Sequence, residues 1–166
     1  MKSLVRRFVP DTVWRGARRI KRRVEFRRMK SRGRPVTRTM LVKDLESLGI
    51  EKGDLLFVHS SLRSLGFIEG GADAVLDALL EAIGPEGTLV LPTFTLHPGM
   101  KETLESQSFT FDVLNSPSTV GKISDAFRTR PGVYRSEHPT HSVAAFGPLA
   151  RTLTSTHLEE GTNFGK

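Results

Sequence analysis

The sequence predicts an α/β protein, with a mainly parallel sheet that carries helices on both faces and a basic helical arm at its N-terminus. Two apolar runs, residues 55–58 and 88–91, predict buried strands over 54–59 and 88–91, and each run is followed by small or polar residues. Residues 71–83 lie between them and repeat apolar side chains at the spacing of an amphipathic helix. A strand, a crossover helix and a second strand form the unit that builds parallel sheets.

The basic arm comprises residues 1–38, and the body comprises residues 39–166. The arm holds 15 lysines and arginines against two acidic residues, whereas the whole chain carries +7 and the body is net negative. Its apolar stripe repeats at helical spacing and consists of Val13, Ala17, Ile20 and Val24. Such a helix suits an anionic membrane surface or another polyanion, but a solvated tail or a partner-binding segment has the same composition. Nucleic acid is not expected, because only the arm is basic.

Composition limits the class of protein further. A chain of 166 residues can bury the core of one domain. It has no cysteine, which excludes a disulfide framework, a cysteine zinc site and a thiol nucleophile, and indicates a reducing compartment. No apolar run approaches the ~20 residues of a membrane span, and the N-terminus lacks the apolar segment of a secretory signal. We therefore expect a cytoplasmic protein that the arm can hold at a membrane.

The other elements of the body follow from periodicity and from turn residues. An unpatterned stretch of about 20 residues inside a domain is usually functional or disordered. In chain order the sequence predicts a short helix over 41–48, a turn at 84–87, an unpatterned stretch over 96–117, a helix over 120–128, a polar segment over 135–140, a third apolar run over 142–146 and a helix starting at 148–153.

The residues that follow the first predicted strand are small and polar. Ligands of open α/β sheets sit outside the carboxyl ends of the strands, which is where residues 59–64 fall. Ser60, Ser61 and Ser64 can bind amide groups, and Arg63 can pair with a phosphate in bidentate fashion. The alternative is a helix cap with an ordinary turn.

Several segments together resemble the aminoglycoside 3-N-acetyltransferase family, the antibiotic acetyltransferases that use acetyl-CoA. The resemblance covers residues 39–166 and about the first half of a family member. The family's His-x-x-Glu catalytic segment is expected beyond Lys166, so the sequence is interpreted as a truncated chain or a fragment. The matching segments, in the family's order, are residues 53–66, 69–72, 84–90, 135–145 and 147–150.

The resemblance implies a CoA channel at the carboxyl ends of the first two strands. Residues 118–121 open a helix there, and helix N-termini can bind anions, although a plain N-cap would use the same residues. For Phe94, packing in the core is the alternative role. The implied cofactor-binding residues are His59, Ser60, Ser61, Leu62, Arg63, Ser64, Thr93, Phe94, Ser118, Thr119, Val120, Gly121 and Arg135.

The histidines are the remaining candidates for chemistry. His138 precedes Pro139 in what resembles the family's His-Pro signature, and it can act in catalysis or as a hydrogen-bonding anchor. A metal site with His141 is not expected, because Pro139 interrupts the helix that a His-x-x-His zinc site requires. His141 and His157 are weaker candidates, and His97 lies in the unpatterned stretch with no partner that the sequence reveals.

The expected function is acetyl-CoA-dependent N-acetylation of an amino group on an aminoglycoside or another amino sugar. No metal cofactor is expected. Direct transfer is favoured over an acyl-enzyme on Ser60 or Ser61, because the Gly-x-Ser-x-Gly elbow is absent. The alternative is a non-catalytic module that binds CoA or a partner and is anchored to an anionic surface by its basic arm.

Overall fold

The computed structural model describes Val24 and residues 34–96, 100–106 and 109–159. Internal contacts divide the chain into two units, residues 1–35 and 36–166. The predicted apolar stripe of the basic arm lies outside the described residues, except for Val24, which is helical and exposed.

The second unit contains helices and strands in alternation, so the predicted α/β class is confirmed. None of its helices, within the described residues, combines the length and the apolar character needed to cross a membrane. The described helices are α1 (Arg38–Ser47), α2 (Gly71–Ile83), α3 (Met100–Glu105), α4 (Lys122–Arg128) and α5 (Ala150–Ser155), and the strands are β1 (Leu55–Phe57), β2 (Thr88–Pro92), β3 (Tyr134–Arg135) and β4 (Val143–Phe146).

The four described strands form one mixed sheet in the order β1-β2-β4-β3. Only β1 and β2 are parallel, whereas β4 is antiparallel to both β2 and β3. The expectation of a mainly parallel sheet is therefore not confirmed. Residues 136–142 join β3 to β4, and a parallel connection needs roughly a dozen residues or more, so this pair can only be antiparallel.

Strand β1 lies at an edge of the sheet, although its apolar run predicts a fully buried strand. Leu56 and Val58 pack against the core, whereas Leu55 and Phe57 point to the other face and are 51% and 50% exposed. An apolar run predicts a strand, but it does not show whether other elements of the protein cover both faces of that strand.

Helices cover both faces of the sheet, as predicted. On one face, Leu89, Leu91 and Ala144 pack against α2 and α4. On the other face, Val90, Val143 and Ala145 pack against Ala150 of α5. Alternate residues of β2 thus enter two different apolar clusters, as the two-residue period of a strand requires.

The local helix predictions differ in quality. Helix α2 has the predicted bounds, and six of its apolar residues are buried, with Leu80 half-buried. Helix α4 begins two residues later than predicted, and α3 lies inside the stretch that showed no pattern. Helix α2 is the one that the sequence predicts most accurately, because its wide apolar stripe repeats over several turns.

Candidate functional site

The loop after β1 forms one helical turn at the carboxyl end of the sheet. The N–H groups of Ser64 and Leu65 both donate to the carbonyl of Ser61, at 2.8 and 3.3 Å. His59, Ser61, Arg63 and Ser64 are exposed, whereas Ser60 is half-buried and the half-buried Leu62 packs on the core. Leu62 thus anchors the turn and leaves the polar side chains outside the core.

This loop presents several polar groups without a protein partner. Within the described residues, no acceptor is bound by the backbone N–H groups of residues 59–63. The hydroxyl oxygen of Ser60 is buried and also has no partner there. Buried polar groups are normally hydrogen-bonded, so such groups mark a place where a ligand or water completes the bonding.

The second loop, residues 109–121, is tied to the carboxyl end of β2. The N–H of Thr119 donates to the carbonyl of Phe94 at 2.8 Å, and its hydroxyl donates to the same oxygen at 3.1 Å. Thr95 donates its hydroxyl to the carbonyl of Pro117 at 3.1 Å. Val120 is exposed, and the buried hydroxyl of Ser118 has no partner among the described residues.

The two loops meet at Gly121. A β-carbon placed on Gly121 would lie 3.8 Å from the carbonyl oxygen of Ser60, and the φ of this glycine is +147°. Two segments that are far apart in the chain, each predicted to bind CoA, therefore lie close together. Each of them carries one buried hydroxyl that has no partner within the described residues, on Ser60 and Ser118.

The start of α4 is less favourable to anions than the sequence suggests. Helix α4 has only seven residues, and Asp125 in its first turn accepts the N–H of Ser118 at 3.0 Å. Burial alone would raise the pKa of Asp125, but the hydrogen bonds from Arg128 and Ser118 outweigh it and place this pKa below the ordinary value. The carboxylate therefore offsets part of the attraction that Lys122 and the helix end offer to an anion.

Arg135 lies at the centre of a polar network beside these loops. Its Nε atom is 3.2 Å from the hydroxyl oxygens of both Thr93 and Ser142. Its Nη1 atom donates to the carbonyls of Val113 and Ser116, at 3.2 and 2.6 Å. Its Nη2 atom donates to the carbonyl of Thr93 at 2.7 Å and to the hydroxyl of Thr95 at 2.9 Å.

Arg135 remains a cation in this setting. Burial, together with the charge of Arg128, lowers its pKa to about 10, which is well above neutral pH. The guanidinium also lies over the ring of Phe111, with its carbon 5.0 Å from the ring centre. Thr93 and Ser142, which bind the guanidinium through their hydroxyls, are fully buried. They are also bonded to each other, because the hydroxyl of Thr93 donates to the carbonyl of Ser142 at 3.0 Å.

The ring of His138 is held by the backbone of the residues that follow it. Its Nδ1 atom accepts the N–H of His141 at 3.0 Å and the N–H of Thr140 at 3.3 Å. A nitrogen that accepts N–H groups carries no proton, so the neutral ring is protonated on Nε2. Burial lowers the pKa of His138, and the charges of His157 and His141 lower it further.

A histidine cluster, formed by His138, His141 and His157, lies at this end of β4. The ring centres of His138 and His157 are 4.9 Å apart, and those of His138 and His141 are 5.5 Å apart. His141 also lies against the half-buried ring of Phe94 at 4.9 Å. Burial lowers the pKa of His141, and the charge of His157 adds to this effect.

From the sequence, His157 is only a weak candidate for chemistry. In the structure its side chain is 3% exposed and lies beside the site. Its Nδ1 atom is 2.8 Å from the hydroxyl of Ser136, which in turn accepts the N–H of Val143 at 2.9 Å. No local pattern could reveal a pair that is 21 residues apart. His97 lies outside the described residues, and no group of histidines or carboxylates among those described could hold a metal ion.

These features define an α/β protein in which two loops converge at the carboxyl ends of the parallel strands, beside a half-buried arginine and a histidine cluster. The family model of the aminoglycoside 3-N-acetyltransferases matches residues 57–166. The chain belongs to this family.

Among curated relatives, the chain is similar to aminoglycoside N(3)-acetyltransferase VIII of Streptomyces fradiae, with 36% identity over 137 residues. That match covers 75% of the chain and 48% of the relative. The fold is similar to AAC-VIa bound to sisomicin, with a TM-score of 0.65 and 33% identity over 75% of this chain and 50% of that one. It is also similar to AAC-IIIb in a binary complex with CoASH, with a TM-score of 0.64 and 29% identity over 75% and 50% of the two chains.

The chain spans about half the length of the curated relatives that it matches.

Proposed function

We propose that the cleft between residues 59–64 and 118–121 binds acetyl-CoA, and that the protein transfers the acetyl group to an amine of an aminoglycoside or a related amino sugar. One observation carries the proposal. Ser60 and Ser118 each bury a hydroxyl without a partner among the described residues, on two loops that approach each other at Gly121. The structural relative in complex with CoASH supports CoA as the ligand.

The residues present fit the chemistry of CoA. Pantetheine offers amide groups. The N–H groups of residues 59–63, which bind no acceptor in the described part of the chain, and the two hydroxyls can bind them. Arg63 is exposed beside these groups and provides charge for a phosphate. Bound acetyl-CoA supplies an activated acetyl thioester, and the chain's own groups orient it.

Acetyl transfer to an amine needs donors for the oxyanion and a base for the amine proton. His138 suits the first task better than the second. Its Nδ1 lone pair is already occupied by backbone N–H groups, so its neutral ring offers the Nε2–H bond as a donor. We place His138 as a hydrogen-bond donor or anchor at the site rather than as the base.

The acceptor follows from the family. Structural relatives have been solved with a gentamicin, with apramycin and with sisomicin. These are polyamines, and the net negative body of this chain is compatible with such a cation. The acceptor class is therefore an aminoglycoside or another amino sugar.

Calorimetry of the 166-residue chain with CoA tests the first half of the proposal. We expect saturable binding, together with slower amide hydrogen exchange at residues 59–63 and 118–121. Heats indistinguishable from dilution, or protection confined to other segments, would refute the assignment of the cleft.

A free-thiol assay with acetyl-CoA and a panel of amines tests the second half. Acetyl transfer identifies an enzyme. CoA binding without transfer to any amine is expected of a non-catalytic CoA-binding module, and also of a fragment whose His-x-x-Glu catalytic segment lies beyond Lys166. Whether the protein is an enzyme or a non-catalytic module, its basic arm favours a position at an anionic membrane surface in the cytoplasm, because the arm carries excess positive charge.

A further inference from the structure

We propose that Arg135 is a positioning residue, whose guanidinium group holds the loop that carries Ser118 against the carboxyl end of β2 without touching CoA. The inference rests on the proposed function of the cleft. It changes the role of a residue that the family resemblance placed among those that contact CoA.

The donors of Arg135 are all used within the protein. A guanidinium has five N–H bonds in a planar fork. Here the fork meets three backbone carbonyls, those of Thr93, Val113 and Ser116, and three hydroxyls. No N–H bond is left for a phosphate of CoA unless one of these contacts breaks.

The contacts of Arg135 join separate segments of the chain. Ser116 and Val113 belong to the 109–121 loop, Thr93 follows β2, and Ser142 precedes β4. A second arginine acts on the same loop, because Nη1 of Arg128 donates to the carbonyl of Leu114 at 2.8 Å. Two arginines from different elements thus bind three carbonyls of one short stretch, and Ser118 lies just beyond that stretch.

The geometry of the fork matters here more than its charge. All six acceptors are neutral, and none of the ion pairs among the described residues involves Arg135. A lysine in its place would keep the charge, but its single ammonium group cannot reach acceptors on both sides of a planar fork. A lysine substitution therefore separates a role in positioning from a role in binding an anion.

The experiment compares Arg135→Lys and Arg135→Gln in the full chain, with CoA and with pantetheine as ligands. If Arg135 positions the cleft, both variants should weaken both ligands by a similar factor of about tenfold, as expected for the loss of a charged hydrogen-bond network. Wild-type affinity for CoA in Arg135→Lys would overturn the proposal. A loss of affinity for CoA without a loss of affinity for pantetheine would also overturn it, because that pattern is expected if Arg135 contacts a phosphate of CoA directly.

Arg130 provides the matched control. It is also half-buried, but it pairs with Asp73 and Asp77 on α2, at 3.0 and 2.7 Å. Arg130→Lys should lower the Tm and leave CoA affinity unchanged. Equal losses of affinity in the Arg130 and Arg135 variants would show that Arg135 acts only through global stability, which would also overturn the proposal.

Amide hydrogen exchange gives a readout that needs no ligand. Arg135→Lys should accelerate exchange at Ser116 and Thr119, whereas Arg130→Lys should not. This comparison decides the role of Arg135 even if the wild-type chain binds no CoA, an outcome that would refute only the proposed function. If Arg135→Lys does not fold, Thr95→Val serves instead, because it removes one acceptor of the fork and the bond to Pro117. Unchanged exchange at Ser116 and Thr119 in the folded variant would overturn the proposal.

Discussion

The Nδ1 atom of His138 accepts the backbone N–H of His141 at 3.0 Å, so a turn of the chain sets the protonation site of the ring. We expect the neutral His138 ring to carry its proton on Nε2. Nitrogen chemical shifts of the imidazole, recorded about one pH unit above its ordinary pKa, measure this directly. A proton found on Nδ1 would contradict the assignment and would restore His138 as a candidate base.

Two substitutions separate the structural and chemical tasks of His138. Asn places an acceptor near the position of Nδ1, whereas Gln places a donor near the position of Nε2. We expect His138→Asn to retain most of the Tm, because the N–H of His141 keeps a partner, and His138→Gln to lose more of it. The opposite order in thermal melts would mean that the Nδ1 contact contributes little to stability.

The histidine cluster predicts a loss of stability on acidification. The pKa values of His138 and His141 lie below their ordinary value of about 6.5, so the unfolded chain binds protons more readily than the folded chain. The free energy of unfolding should be constant above about pH 7 and should fall as the pH drops below about 6.5, the ordinary pKa of histidine. Urea melts of the wild type and of His138→Gln/His141→Gln measure this, and the double variant should show the shallower dependence. Equal slopes would contradict the prediction.

The buried hydroxyls of Ser60 and Ser118 predict opposite effects of their removal on stability and on CoA binding. Removing a buried hydroxyl that has no partner among the described residues relieves its desolvation cost, so Ser118→Ala should raise the free energy of unfolding by up to about 1 kcal/mol. The same change should weaken CoA binding severalfold, and Ser60→Ala should behave alike. Ser136→Ala is the control, because that hydroxyl is hydrogen-bonded and its loss should destabilise the fold. Destabilisation by Ser118→Ala, or unchanged CoA affinity, would argue against the assignment.

Arg63 provides the charge at the tip of the first loop. Arg63→Ala should weaken CoA binding by the value of one hydrogen bond to a charged group, about 1.5–3 kcal/mol. Arg63 is exposed, so the Tm should not change. Calorimetry measures the affinity, and unchanged binding would remove Arg63 from the site. Arg151→Ala is a matched control, since Arg151 is also exposed and stacks on Tyr134 instead.

The basic arm predicts binding to anionic vesicles that weakens steeply with salt. Each basic residue near such a surface contributes up to ~1 kcal/mol, and the Debye length at about 0.1 M salt is about 10 Å. Vesicle co-sedimentation should therefore show binding to anionic vesicles at low salt and none to neutral vesicles. Deletion of residues 1–35 should abolish vesicle binding and leave CoA affinity intact, because residues 36–166 form a unit of their own. Equal binding to both vesicle types would contradict an electrostatic anchor.

The sequence was sufficient for the features that depend on neighbouring residues. The apolar period of α2 and the uniformly buried β2 were predicted with bounds correct to within one residue, because each pattern repeats along its own element. Local polarity and the family resemblance also predict the loops at 59–64 and 118–121 as ligand-binding segments, and that role stays a prediction. Their small polar residues distinguish them from the apolar runs around them.

Tertiary structure decided the features that depend on residues far apart in the chain. β1 is an edge strand because nothing among the described residues pairs on its other side. The apolar run of β1 does not predict whether a second neighbour is present. Arg135 gains its role from carbonyls up to 42 residues away, and His157 from a serine 21 residues away. Backbone carbonyls carry no sequence signal, since every residue has one. Only the folded chain determines which carbonyls face the guanidinium of Arg135.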